Sequence, residues 1–217
     1  MPKKKTITAH DIMSLYMDYV LEHNERPKTV YAFAKANQFD EQKFYEFFGS
    51  FDAIESHVFE VFYNNTSELL NQSEDYHNFD ARNKLLSFYF TFFELLTANR
   101  SFVIYALNQH KNSLKNLKVL AALKHQFTTY ISQLGIDLIE TQQAQLDKFQ
   151  QQSLKESAWV QFMLTLKFWM DDTSPSFEKT DVFIEKSINT SFDILNVAPI
   201  KSMIDFGKFL FKEKVNI

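Results

Sequence analysis

Residues 29–54 read TVYAFAKANQFDEQKFYEFFGSFDAI. Thr29 places a hydroxyl where it can accept from the free N–H groups that open a helix, and Asp40 can do the same for a following one. Between these caps the run allows one short helix through Ala36, a turn, and a second short helix ending near Phe48, before Gly49-Ser50 breaks the chain. Phe33, Ala34, Phe39, Phe44 and Phe48 fall on the side where the two helices meet. The small Ala34 lets the helices cross closely.

Working outward, Thr8 and Asp11 stand three apart in front of an apolar stripe, as in a capping box. The stripe, Ile12, Leu15, Tyr16, Tyr19 and Val20, is one face of a helix. Asn24–Lys28, with Pro27, reads as a loop. Beyond Gly49-Ser50 a long helix is expected from about Phe51 to Asn71, then a polar linker over 72–78. Leu85, Phe88, Tyr89, Phe92, Phe93 and Leu96 mark the next helix. Thr97–Ser101 interrupts it, and Phe102–Gln109 begins another. A long helix over 114–134 is expected to end at Gly135, with a polar, exposed helical stretch over 136–152. Two regular late helices follow. One carries Trp159, Phe162, Met163, Leu166, Trp169 and Met170. The other opens at Ser174-Pro175 and carries Ile184, Ile188, Phe192 and Leu195. A short basic amphipathic helix over 200–214 closes the chain. No strand-length alternation occurs.

Composition agrees with an all-α chain. Its 217 residues hold only three glycines and four prolines, where average usage would give about 15 and 11. Few turns and long helices follow. Phenylalanine occurs 24 times, enough for a bulky core or an aromatic-lined hollow. Cysteine is absent, which fits a reducing compartment. No apolar signal core follows the first residues, and no stretch approaches the ~20 apolar residues of a membrane span. These features lead us to expect a cytoplasmic protein. The net charge of −4 gives no overall basic excess.

The 29–54 segment resembles the DNA-binding signature of TetR-family repressors. Thr29, Phe33, Ala34, Ala36, Phe39, Phe44, Tyr45, Phe47, Phe48, Ser50, Ala53 and Ile54 match that pattern without a gap. Trp169–Leu195 is similar to a pattern found in one branch of the same family. The resemblance implies a TetR-like fold: a three-helix helix-turn-helix head over 1–50, a connecting helix over about 51–71, and a helical ligand-binding and dimerisation domain over 72–217. It implies a homodimer that binds operator DNA through Thr29, Lys35, Lys43 and Tyr45, with the helix from Asp40 to Phe48 entering the major groove. It also implies an apolar small molecule or lipid held by Phe88, Phe92, Tyr105, Phe127, Tyr130, Trp159 and Phe162. The two late helices would form the dimer interface, through Phe162, Leu166, Ile184 and Ile188.

Several positions depart from the family pattern. Gln38 stands where glycine is usual, and Phe51 where a phosphate-holding cation is common. Residues 1–67 contain seven Lys/Arg and ten Asp/Glu, a net of −3, although DNA affinity rests heavily on neutralising phosphates. An alternative expectation is therefore a lipid-binding accessory protein that has lost DNA binding. It would be similar to the TetR-fold lipid-binding proteins of ubiquinone biosynthesis, with peripheral membrane contact through 200–214. Catalysis is not expected. The chain has no cysteine nucleophile, no G-x-S-x-G elbow, too few glycines for a phosphate loop, and no H-E-x-x-H. No metal or cofactor is expected either.

Overall fold

Among the described residues, several helices begin or end on identifiable local chemistry. A computed structural model describes residues 7–108, 117–136 and 144–195. α1 (Ala9–His23) opens on the expected box: Thr8 Oγ1 accepts from Asp11 N at 3.1 Å, and the Asp11 carboxylate accepts from Thr8 N at 2.9 Å. Asn24, left-handed at φ 50°, ends it. Thr29 Oγ1 accepts from Ala32 N at 3.0 Å and starts α2 (Val30–Ala36). The turn to α3 (Glu41–Phe47) forms without the usual glycine: Gln38 adopts φ 60°, and Phe39 N donates to Ala34 O at 3.1 Å. A left-handed non-glycine costs about 1–2 kcal/mol, which the aromatic packing of the pair offsets. α4 (Phe51–Asn71) starts at Ser50, whose hydroxyl accepts from Ala53 N at 3.2 Å.

After α4 the structure departs from the expected layout in four places. The supposed linker contains a short helix, α5 (Glu74–Asn78), capped by Ser73, and its Tyr76 is buried. Tyr76 is held there by a 2.9 Å hydrogen bond to the Tyr130 hydroxyl. α6 (Ala81–Ala98) and α7 (Arg100–Leu107) follow. The expected helix over 114–134 is, among the described residues, a 3-10 turn (Leu117–Leu120) followed by α8 (Ala121–Gln133). Gly135 beyond it is left-handed at φ 68°. The polar stretch up to 152 is not separate from the late helix, because α9 runs unbroken from Ala144 to Asp171 with no glycine or proline inside. Finally, Ser174-Pro175 opens a 3-10 turn (Pro175–Phe177) in which Ser176 and Phe177 are left-handed, and α10 starts only at Glu178 and runs to Leu195. The expected helix over 200–214 lies outside the described residues.

The chain divides into two compact units. Met1–Asn65 with Phe93–His125 form one; Thr66–Phe92 with Gln126–Ile217 form the other. The contact boundary in this region falls at Asn65/Thr66. Residues 93–125 group with the head because α7 packs on α1. In the first unit α2 crosses α3, and Ile12, Tyr16, Phe33, Ala34, Phe44 and Ile54 are buried. In the second, α9 packs on α10 and both bury side chains with Phe88, Tyr89, Phe92 and Phe127.

The start of α10 rests on a residue far behind it. The Asp172 carboxylate accepts from Ser174 N and Oγ at 2.8 and 2.7 Å, and from Thr180 N and Oγ1 at 3.0 and 2.7 Å. Burial pushes this carboxyl up, but the four hydrogen bonds outweigh it and hold the pKa at about 2. Its stabilising effect is full above the ordinary value of 3.8 and is lost as pH falls through about 2. Asp172→Asn, whose amide N cannot accept, is expected to lower stability by about 2 kcal/mol at neutral pH. The gap between the two proteins in a urea titration should narrow as pH falls below the ordinary carboxylate range. A gap that widens in acid would refute the capping role.

Candidate functional site

Aromatic packing fixes the head. Phe33 meets Tyr16, Tyr19, Phe39, Phe44 and Phe51 edge-on, with ring centroids 5.8–6.4 Å apart. Phe51 also stacks on Tyr16 at 5.2 Å. Beside these rings lies a buried polar cluster. Glu55, 2% exposed, accepts from the Tyr16 hydroxyl at 2.6 Å and from Arg26 Nε and Nη2 at 3.1 and 2.5 Å. Arg26 Nη1 also reaches Asp52 at 2.5 Å. Burial and the Glu55 charge raise the Tyr16 hydroxyl far above its ordinary value, so it stays protonated and donates. Burial works against the Arg26 charge, but the hydrogen bond and charge of Glu55 prevail and hold its pKa above the ordinary arginine value. The cluster ties α1 and the loop after it to α4.

The outer side of the α2–α3 pair carries the head residues singled out from the sequence. Thr29 is occupied in capping α2. Lys35 is exposed, its ammonium 5.8 Å from the centroid of the Tyr31 ring. On α3, Lys43 Nζ donates to Glu46 Oε2 at 2.6 Å. Tyr45 is 55% exposed, its ring edge-on to Phe44 at 5.4 Å.

In the second unit the rings close on one another. Phe88 stacks on Phe92 and Tyr130 at 5.6 and 4.8 Å and lies 5.6 Å from Phe127. Phe162 meets Phe127 at 4.9 Å and stacks on Trp159 at 5.2 Å. Beside this cluster is a separate hollow of about 220 Å³, lined by Leu85, Ile131, Leu154, Ile188, Leu195 and the polar Gln161, among others. Gln161 is itself fixed: it accepts from the Tyr89 hydroxyl and donates to Ser187 Oγ at 2.9 Å. A second, open groove of about 730 Å³ runs along α9 and α10, lined by Phe168, Val182 and Phe183 among others. Phe168 stacks on Phe183 there at 4.5 Å.

A family model described as the tetracyclin repressor-like C-terminal domain matches residues 84–210, more than half of the chain. The chain belongs to the TetR family. No curated protein matches it. Its fold is all-α and TetR-like, and the family is one of transcriptional regulators. Among the described residues no helix is long and apolar enough to cross a membrane.

In this TetR-family chain Lys43 and Tyr45 lie on opposite flanks of α3, and Lys35 lies on α2, whose N-cap is Thr29. Phe51, at the position of a common phosphate-holding cation, is part of the head's ring cluster instead. The seven residues expected to hold a ligand do not line the hollow described above. Tyr105 belongs to the first unit, beside Phe102 at 6.5 Å, and the other six form the ring packing of the second. Phe162, Leu166, Ile184 and Ile188, expected at the interface, are 0–2% exposed within the single chain. Sequence reading missed Gln161 and Asp172. Glutamine on a helix carries no periodic signal, and the Asp172 cap closes over a turn that nothing local announces.

Proposed function

We propose that this TetR-family chain is a homodimeric, cytoplasmic transcriptional regulator whose α2–α3 pair reads operator DNA and whose second unit responds to an apolar small molecule. The observation that carries this reading is the formed α2–α3 crossing, with Phe44 buried beneath α3 and the other side of that helix turned to solvent. A short helix so presented suits a major groove. The ligand would occupy the hollow against Gln161, where a mostly apolar lining, joined by Ser157 and Ser191, meets one oriented amide.

The dimer face would be the outer side of α9. This helix is apolar on two opposite sides: Phe162, Leu166 and Trp169 are buried, while Val160, Leu164 and Phe168 are 57%, 58% and 36% exposed. An apolar line on each of two opposite sides calls for cover on both, and a second copy supplies it on the outer one, continuing along Val182 of α10. Leu164→Lys with Phe168→Lys is expected to give a folded monomer in sedimentation velocity. An unchanged dimer would overturn this choice of face.

Charge favours a second reading, the lipid-binding accessory protein. The net of −3 over residues 1–67 and the Lys43–Glu46 pair both weigh against phosphate. The deciding experiment titrates the full chain against its own upstream DNA over a range of salt, beside sedimentation with anionic phospholipid vesicles. The regulator reading expects a retarded complex at low salt that fades steeply with added salt. Lys35→Ala should flatten that dependence by about one phosphate contact. Absence of any complex, together with vesicle binding lost on removal of residues 200–217, would replace it with the lipid reading.

A further inference from the structure

α3 is short enough that its geometry leaves little choice about which side chains face outward. Phe44, fully buried, marks the core side. With 3.6 residues per turn, Gln42 and Glu46 lie about 160° around the helix from Phe44, whereas Lys43 and Tyr45 lie only about 100° away, on the two flanks. Gln42 and Glu46 are both exposed. They are one turn apart, so they share the outermost line of the head.

This line is chemically unusual for a DNA reader. Guanine is ordinarily read by Arg or Lys donating to its O6 and N7. The single cation of α3, Lys43, sits on a flank and already donates to Glu46 at 2.6 Å. Glutamine instead matches adenine, donating to N7 and accepting from the N6 amine, and a carboxylate accepts from the N4 amine of cytosine. Carboxylates repel phosphate, so an acidic residue on this line is tolerable only where it meets a base-edge donor. Lys43, by pairing with Glu46, holds that carboxylate in place and offsets its charge as the helix nears the duplex.

We infer that Gln42 and Glu46 are the base-reading pair of the head, taking the major-groove edges of adenine and cytosine, and that Lys43 positions Glu46 rather than reading guanine. The inference rests on the regulator reading above. The two side chains are about 6 Å apart along the helix axis and a base step is about 3.4 Å, so the adenine and the cytosine fall within about two steps of each other in each half-site.

The test is selection of binding sites from a randomised duplex pool by the full chain, by Gln42→Ala, and by Glu46→Ala. Both replaced side chains are exposed, so matching circular-dichroism melts verify folding. The wild type is expected to enrich sites holding an adenine and a cytosine at fixed positions. Gln42→Ala should lose preference at the adenine alone and Glu46→Ala at the cytosine alone, each by roughly 5- to 150-fold. Glu46→Ala should also raise affinity for unrelated DNA, because it removes a charge that repels phosphate. Enriched sites that both variants select unchanged, or sites fixed at guanine, would overturn the inference while leaving the regulator reading intact. Failure of the wild type to enrich any sequence at low salt would overturn both.

Discussion

Arg26→Ala should cost the head about 3–5 kcal/mol. Removing the guanidinium leaves Glu55, 2% exposed, as a buried carboxylate that still accepts from the Tyr16 hydroxyl but has lost its countercharge. Isolating a buried charge is far more destabilising than deleting an exposed pair. Glu55→Gln should cost less, because Arg26 is partly solvated and keeps Asp52. Urea titration followed by far-ultraviolet circular dichroism gives both values. Equal losses, or a loss below about 1 kcal/mol for Arg26→Ala, would show that water or another group takes over its role.

Phe162→Ala is expected to cost a similar amount, about 3–5 kcal/mol, in the second unit. Its fully buried ring touches Tyr89, Phe92, Phe127 and Trp159, so its removal leaves a cavity among rigid rings that collapse poorly. The contrast with Leu164, two positions along the same helix and exposed, is the informative one. The Leu164→Lys, Phe168→Lys protein should lose only the stability that the partner and the Phe168–Phe183 stack supply, while Phe162→Ala should melt early whatever its oligomeric state. A Phe162→Ala protein that is a stable monomer would return that residue to the interface.

The same helix shows where sequence reading works and where it stops. The Thr8–Asp11 box and the Thr29 cap were legible because each needs only residues three apart and one hydrogen bond. The stripe through Phe162 and Leu166 was also real as periodicity. Its direction was not legible, because α9 carries a second apolar line through Val160, Leu164 and Phe168, and spacing alone does not say which line meets the chain's own core. Gln38 illustrates the reverse case. Its local preference opposes the turn, yet the rings of Phe33, Phe39 and Phe44 impose it. Aromatic abundance leaves a bulky core and an aromatic-lined hollow equally open; the rings of the second unit pack on one another, and the hollow lies beside them against Gln161, a residue that periodicity passes over.

The placement of the two tryptophans has a practical consequence. Both Trp159, stacked on Phe162, and the fully buried Trp169 belong to the second unit; the first carries tyrosines and phenylalanines but no indole. Indole emission is thus a built-in optical reporter on one half of the protein. The Phe162→Ala lesion, made against the Trp159 ring itself, registers directly in its colour and intensity. Damage to the Arg26 cluster leaves the light unchanged until the second unit follows. A fluorescence assay on this chain therefore separates injury to the second unit from injury to the first without any label.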